Sequence, residues 1–299
     1  MAESYNERMA DDSSNSTPLC QYMDELIDSL RKDIPAALKR FDEDAIHDTR
    51  VATRRLKAAI ELLEPVLTDE HRKPVAKAGK RLRRRLGAMR DLDVMIDALE
   101  PFLKQRSHGE AATWLRDRLV HARESARDEA KSESSPHRLM ARLGSWWGLR
   151  EEVIESSEKA SHLLAHSLHN QLESFAEQAD QLGNHDSSKP HDPHAVRIAG
   201  KALRYTLEMA KRDGHDLPDD VAKTFKKLQD ALGRWHDLVV LTERAMQESI
   251  AALLPHHDPE MQKKVMALAK LLLDRSVREL QKFSALWSEK GKNISAIIC

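Results

Sequence analysis

His47-Asp48-Thr49-Arg50-Val51-Ala52-Thr53-Arg54-Arg55-Leu56-Lys57 returns later in the chain as His194-Ala195-Val196-Arg197-Ile198-Ala199-Gly200-Lys201-Ala202-Leu203-Arg204. A histidine, two spaced bases, a leucine and a third base recur at an offset of 147. A second block follows each copy. Lys80-Arg81-Leu82, Leu86-Gly87 and Asp91-Leu92 recur as Lys226-Lys227-Leu228, Leu232-Gly233 and Asp237-Leu238, at an offset of 146. Repeated leucines imply repeated packing. Repeated bases imply a repeated positive surface as well, and such a surface points to an anion.

The periodicity of these blocks is helical. Advancing 100° per residue from His47 puts Arg50, Arg54 and Lys57 at about 300°, 340° and 280°, opposite Ala52, Leu63, Leu56 and Ile60 at about 140° to 220°. The second copy repeats this with Arg197, Lys201 and Arg204 opposite Leu203 and Leu207. In the following helix of each copy, Lys77, Lys80, Arg81 and Arg84 form one basic stripe, and Lys223, Lys226 and Lys227 form the other. Asp230 replaces the last base of the second, which is therefore the weaker stripe. Glu208 and its equivalent Glu61 intrude on the stripes, where they can pair with bases. Like charges at i,i+4 repel, as in Arg50/Arg54, Lys77/Arg81, Arg197/Lys201 and Lys223/Lys227. Four such stripes suggest that an external anion neutralises them. Arginine forks and lysine point charges suit phosphate. Apart from Tyr205 and Trp235, no aromatic residue interleaves with the bases, so stacking platforms for single-stranded nucleic acid are poorly supplied. A chain of inorganic phosphates needs none.

Outside these blocks the apolar spacing stays helical, and no stretch alternates like a strand. The reading is all-α: helices over 18–41, 43–66, 69–86, 90–105, 108–131, 137–149, 151–181, 192–212, 218–231, 235–253 and 259–289, with Pro35 kinking or interrupting the first. Breaks are expected at 132–136 and 183–193. Residues 1–17 read as a disordered polar leader. The same internal order in both copies then predicts two similar antiparallel helical bundles, 18–145 and 146–299, from an internal duplication. Charge segregation supports a positive field in a chain of net charge −1. Residues 31–90 carry 17 Lys/Arg against 9 Asp/Glu, whereas 151–193 carry 2 against 9.

Composition narrows the class further. Charged residues are 32% and aromatics 4%, and mean hydropathy is −0.60. No membrane span and no secretory signal is expected. Two cysteines, Cys20 and Cys299, make no disulfide framework, and a cytoplasmic setting is the default.

Several other residues bear on chemistry. His47 and His194 open the basic stripes and could hydrogen-bond a phosphate; they could equally bond a neighbouring backbone group or carboxylate. Gly87 and Gly233 suit helix C-termini, and Asp91 and Asp237 suit the start of the next helix as caps, or as acids orienting a base. His162, His166 and His169 have i, i+4, i+7 spacing, but one copy alone has them and no Cys or acid completes a metal set. Trp146 and Trp147 read as core or inter-bundle anchors. No metal, cofactor or catalytic signature is expected.

The quoted blocks resemble the CHAD family, the conserved histidine α-helical domain. The likeness rests on His47-x-x-Arg50-Val51-x-x-Arg54-Arg55-Leu56, Leu86-Gly87-x-x-Arg90-Asp91-Leu92-Asp93-Val94, His194-x-x-Arg197-Ile198-x-x-Lys201-x-Leu203-Arg204-Tyr205 and Leu228-Gln229-x-x-Leu232-Gly233-x-x-His236-Asp237. It implies an all-α fold of two pseudo-symmetric bundles around a basic central cleft or pore, non-enzymatic binding of inorganic polyphosphate, and association with polyphosphate granules. It assigns that binding to His47, Arg50, Arg54, Lys57, Lys77, Lys80, Arg81, Arg84, His194, Arg197, Lys201, Arg204, Lys223, Lys226 and Lys227. Two competing expectations stand beside it. One is a phosphohydrolase or phosphotransferase using Asp91 or Asp237 with a divalent metal. The other is a helical module for RNA or DNA.

Overall fold

Proline and glycine set the helix ends. The fold is a computed structural model that describes residues 16–132, 136–183, 192–215, 218–253 and 258–295. The described residues form ten α-helices and no strand: α1 (Pro18–Pro35), α2 (Glu43–Leu62), α3 (Asp69–Leu103), α4 (Gly109–Ser132), α5 (Pro136–Leu143), α6 (Trp146–Glu155), α7 (Ser157–Gly183), α8 (Pro193–Arg212), α9 (Asp219–Glu248) and α10 (Pro259–Ser295). The all-α expectation is met. Most of the leader expected over 1–17 lies outside the described residues, as does Cys299. So do most of the breaks expected at 132–136 and 183–193, although α4, α5, α7 and α8 end or begin at their edges.

Pro35 interrupts the first helix as expected. The chain winds from it into a π-turn, Ala36–Arg40, and then reverses at the buried Phe41, whose φ is 55°. A non-glycine residue there is uncommon, and packing of the ring holds it in place. Three other boundaries differ from expectation, at Pro65, at Gly144–Ser145 and at Ser156, where the chain breaks between Glu155 and Ser157 and not between the expected helices 137–149 and 151–181. Pro65 carries no N–H, so the second helix stops at Leu62 and passes into the 3-10 turn Glu64–Val66. At Gly144 and Ser145 one expected helix divides into α5 and α6.

The largest correction concerns the Leu-Gly spacing. Gly87 and Gly233 do not end helices. α3 runs unbroken for 35 residues and α9 for 30. Asp91 and Asp237 therefore lie inside helices and cap nothing. The apolar stripe is continuous across both glycines, with Leu82, Leu86 and Met89 buried in α3 and Leu228, Ala231 and Leu232 in α9. Burial of a leucine gives about 2 kcal/mol, against about 1 kcal/mol lost to a helical glycine.

The chain divides into two compact units. The first draws its described residues from the stretch up to Leu86, from 133–170 and from 202–217. There α1 packs on α2, α5 and α6. Asp24 is a buried polar centre: its carboxylate accepts from Trp146 Nε1 at 2.7 Å and from Arg150 Nε at 3.1 Å. Trp146 is thus a core anchor, as its size and position suggested. The second unit draws on 87–132, 171–201 and the described residues from Pro218 onward. There α9 and α10 pack along each other and α4 packs on both. Leu99, Phe102, Leu115, Leu119, Leu241, Val265, Leu268 and Leu272 form the core. Phe175 meets Phe225 and Trp287 edge-on, each with centroids 5.5 Å apart.

Candidate anion-binding site

In the first unit the bases stand on α2 and the beginning of α3. Asp42 starts α2 by accepting the Ala45 N–H at 2.9 Å, and Glu43 and Asp44 add favourable charge at the positive helix end. His47 and Lys57 are exposed and Arg54 is half-buried. Lys57 lies 3.0 Å from Glu61, so that acid does pair with a base.

Arg50 has a different environment from the rest of its stripe. It is only 8% exposed, and its Nη1 donates to the Arg83 carbonyl at 3.0 Å. Arg83 Nη1 donates back to the Thr53 carbonyl at 2.6 Å. The two arginines brace α2 against α3. Gly79 permits the approach, since a Cβ there would lie 3.3 Å from Arg83 Nη1 and 3.9 Å from Thr53 Cβ. Burial lowers the pKa of Arg83 and Arg54 adds to that, while Glu61 and Tyr205 oppose it.

Along α3, Lys77, Lys80, Arg81 and Arg84 are all exposed at i, i+3, i+4 and i+7. No carboxylate of a described residue lies within 4.0 Å of Lys77, Lys80 or Arg81. Lys73, one turn earlier, is paired with Asp69 at 2.5 Å. Asp69 and Glu70 stand in the first turn of α3, and residues 71–90 of the helix contain no acid. Arg204, from the second sequence copy, also belongs to this unit. It stacks over Tyr205 at 5.0 Å and lies 3.7 Å from Glu208.

The second unit carries His194, Arg197 and Lys201 on α8 and Lys223, Lys226 and Lys227 on α9. Asp192 starts α8 by accepting the His194 N–H at 2.9 Å. His194 and the three lysines are exposed, while Arg197 and Lys201 are half-buried. Lys223 is 3.9 Å from Asp219, and both are highly exposed. Lys226 and Lys227 have no carboxylate of a described residue within 4.0 Å. Asp230 is exposed, where the first copy has Arg84.

His236 and Asp237 are half-buried in the same unit. The ring of His236 lies 5.7 Å from that of His194. Burial, then the charges of Arg197, Lys201 and His194, push His236 down to about 4, so its ring is neutral at pH 7. Burial raises Asp237, and Arg197, Lys201 and Arg90 hold it back. Asp237 is thus a counter-ion within a cluster of bases. Sequence reasoning left Arg90 and His236 out of the site. The signal was present, since both precede the repeated Asp and fall at the same offset of 146.

His162, His166 and His169 are exposed on α7. Among the described residues no group of three or more His, Cys, Asp or Glu side chains is placed to hold a metal ion. No helix among them is long and apolar enough to cross a membrane.

Helices alone among the described residues, with bases on helix faces of both units, define the class of this protein: an all-α domain with basic helix faces. A family model for the CHAD domain matches residues 21–246, and the chain belongs to the CHAD family. Solved structures agree on the fold. The CHAD domain from the plant Ricinus communis is 21% identical with a TM-score of 0.60, covering 91% of each chain. PptA from Streptomyces chartreusis is 17% identical with a TM-score of 0.61, covering 91% of this chain and 98% of its own. No curated protein matches the sequence.

Proposed function

We propose that this chain binds inorganic polyphosphate on its basic helix faces without altering it chemically, and that it thereby associates with polyphosphate granules. The CHAD family is associated with polyphosphate binding. The observation that carries the reading is the run Lys77, Lys80 and Arg81, exposed on one face of α3 with no carboxylate of a described residue within 4.0 Å. Clustered like charges raise the energy of the unliganded helix, and a linear polyanion removes that cost along the whole stripe. Lys226 and Lys227 repeat the arrangement on α9. A chain anchored at one stripe reaches the next base at high effective concentration, so affinity should grow with chain length.

The test is a polyphosphate titration at several salt concentrations, comparing wild type with Lys77→Gln/Lys80→Gln/Arg81→Gln. Each lost phosphate contact should flatten the log–log salt dependence by about 0.7, so the triple variant should lose about 2 in slope. Wild-type affinity and slope in the triple variant would refute the site. Arg50 is unsuited to this test, because its substitution unbraces α2 from α3. Incubation of labelled polyphosphate with the protein and Mg²⁺ should leave the chains intact; shortening would establish a hydrolase instead. Competition by RNA or DNA at matched phosphate should be weak.

A further inference from the structure

A carboxylate of α8 stands among the bases of the first unit. Glu208 falls on the basic stripe of α8, one turn from Arg204. Arg55, on α2, lies about 80° from His47 and so off the stripe of its own helix. Instead it reaches α8. Its Nε donates to Glu208 Oε2 at 2.6 Å and its Nη2 to Oε1 at 3.2 Å, a bidentate fork. Arg204 flanks the same carboxylate at 3.7 Å. The surroundings are partly dry. Arg55 and Glu208 are half-buried beside Tyr22, whose hydroxyl is buried without a hydrogen-bond partner among the described residues. Burial, then the Glu208 charge, raises the pKa of that phenol. A fork plus a second guanidinium around one anion is the arrangement that phosphate also takes.

We infer that Glu208 is an internal stand-in for phosphate, occupying an anion subsite built by Arg55 and Arg204. This inference rests on the polyphosphate reading and adds to it a device for selecting chain length. A short phosphate gains little by exchanging one anion for another at the fork. A long chain already held on Lys77, Lys80 and Arg81 arrives at high effective concentration and can displace the carboxylate. Glu208 therefore raises the threshold for short phosphates more than for long ones.

Two variants that break the same ion pair test this, with tripolyphosphate and long-chain polyphosphate as the probes. Glu208→Gln frees two guanidinium groups. It should bind tripolyphosphate about tenfold more tightly, with a steeper salt slope, and narrow the difference between short and long chains. Arg55→Gln leaves the carboxylate facing Arg204, and should bind tripolyphosphate several-fold more weakly. Opposite signs are the expected result. Damage to the fold would move both variants in the same direction, so losses in both, or no change in either, overturn the inference. Glu158→Gln, which neutralises an exposed acid on α7, supplies the control for net charge and should change affinity less than twofold. If wild-type protein binds neither probe, the polyphosphate reading itself falls. If wild type binds and the triple variant on α3 does not, while Glu208→Gln gains nothing, that reading stands and the inference about Glu208 fails.

Discussion

Alanine at Gly233 should stabilise this protein, although a Leu-Gly step followed by Asp looks like a helix end. Gly233 lies in the interior of α9, and a Cβ built on it would meet nothing within 4 Å. Glycine in such a position costs about 0.8 kcal/mol relative to alanine, largely because the unfolded glycine chain has more freedom to lose. With a urea dependence of about 2 kcal/mol per molar, Gly233→Ala should raise the midpoint by about 0.4 M at unchanged slope, followed by helical circular dichroism. If Gly233 instead adopted a left-handed conformation at a helix end, alanine would lower the midpoint by a similar amount. A lowered midpoint therefore refutes the continuous helix. Gly200 supplies the contrast in the same assay. A Cβ there would come 2.0 Å from Gln229 Nε2 and 3.0 Å from Phe175 Cε2. The amide can swing away but the packed ring must shift, so Gly200→Ala should cost about 1 to 2 kcal/mol.

Asp24→Leu should cost about 3 kcal/mol, because it takes the carboxylate from the buried Arg150 and the partner from Trp146 Nε1. Adding Arg150→Met should recover most of that, and additive losses in the double variant would refute the account. His236 has a folded pKa of about 4 against an ordinary 6.5, so the unfolded chain binds the extra proton first. Its contribution to stability is present above about 6.5 and is lost as pH falls towards 4, and His236→Gln should flatten that part of the stability–pH curve. His71 has the opposite sign. Its hydrogen bond to Glu152 at 2.7 Å raises its pKa above 6.5, so its contribution is full below that value and is lost as pH rises through the folded value. His71→Gln should remove the loss of stability on the alkaline side, and a curve unchanged from wild type would show the pair to be inert.

Helix content and helix faces were legible in the chain because both follow from spacing. The apolar stripe of Leu56, Ile60, Leu82, Leu86, Leu203 and Leu228 is buried as the periodicity requires. The ends were legible where a residue changes the backbone itself, as at Pro35. They were misread where a residue changes only a propensity. Gly87 and Gly233 weaken a helix by about 1 kcal/mol, and the burial of neighbouring leucines outweighs that. The compact units were beyond reach from sequence for a related reason. Residues of α3, α7 and α8 are divided between them. Local periodicity states that a helix has an apolar face, but not which helix covers it at each turn.

The same limit governs the charges, and here it alters the chemistry. A helical projection treats Arg50, Arg54 and Lys57 as equals on one stripe. In the fold Arg50 bonds a carbonyl on α3, Arg54 is half-buried, and Lys57 faces Glu61. Arg55, off the stripe, is the base whose fork meets an acid from another helix. The Lys57–Glu61 pair lies within one helix, but the partners of Arg50 and Arg55 are 33 and 153 positions away, which no spacing rule within one helix contains. Positive charge in the sequence is therefore an upper bound on positive charge offered to a ligand. By that measure the bases of α3 outrank those of α2. Lys77, Lys80 and Arg81 remain exposed and without a carboxylate of a described residue at hand, whereas much of α2's charge is engaged in holding the unit together. Reversing one charge on α3 should thus weaken polyphosphate binding at constant stability, while the same reversal at Arg50 should lower stability first.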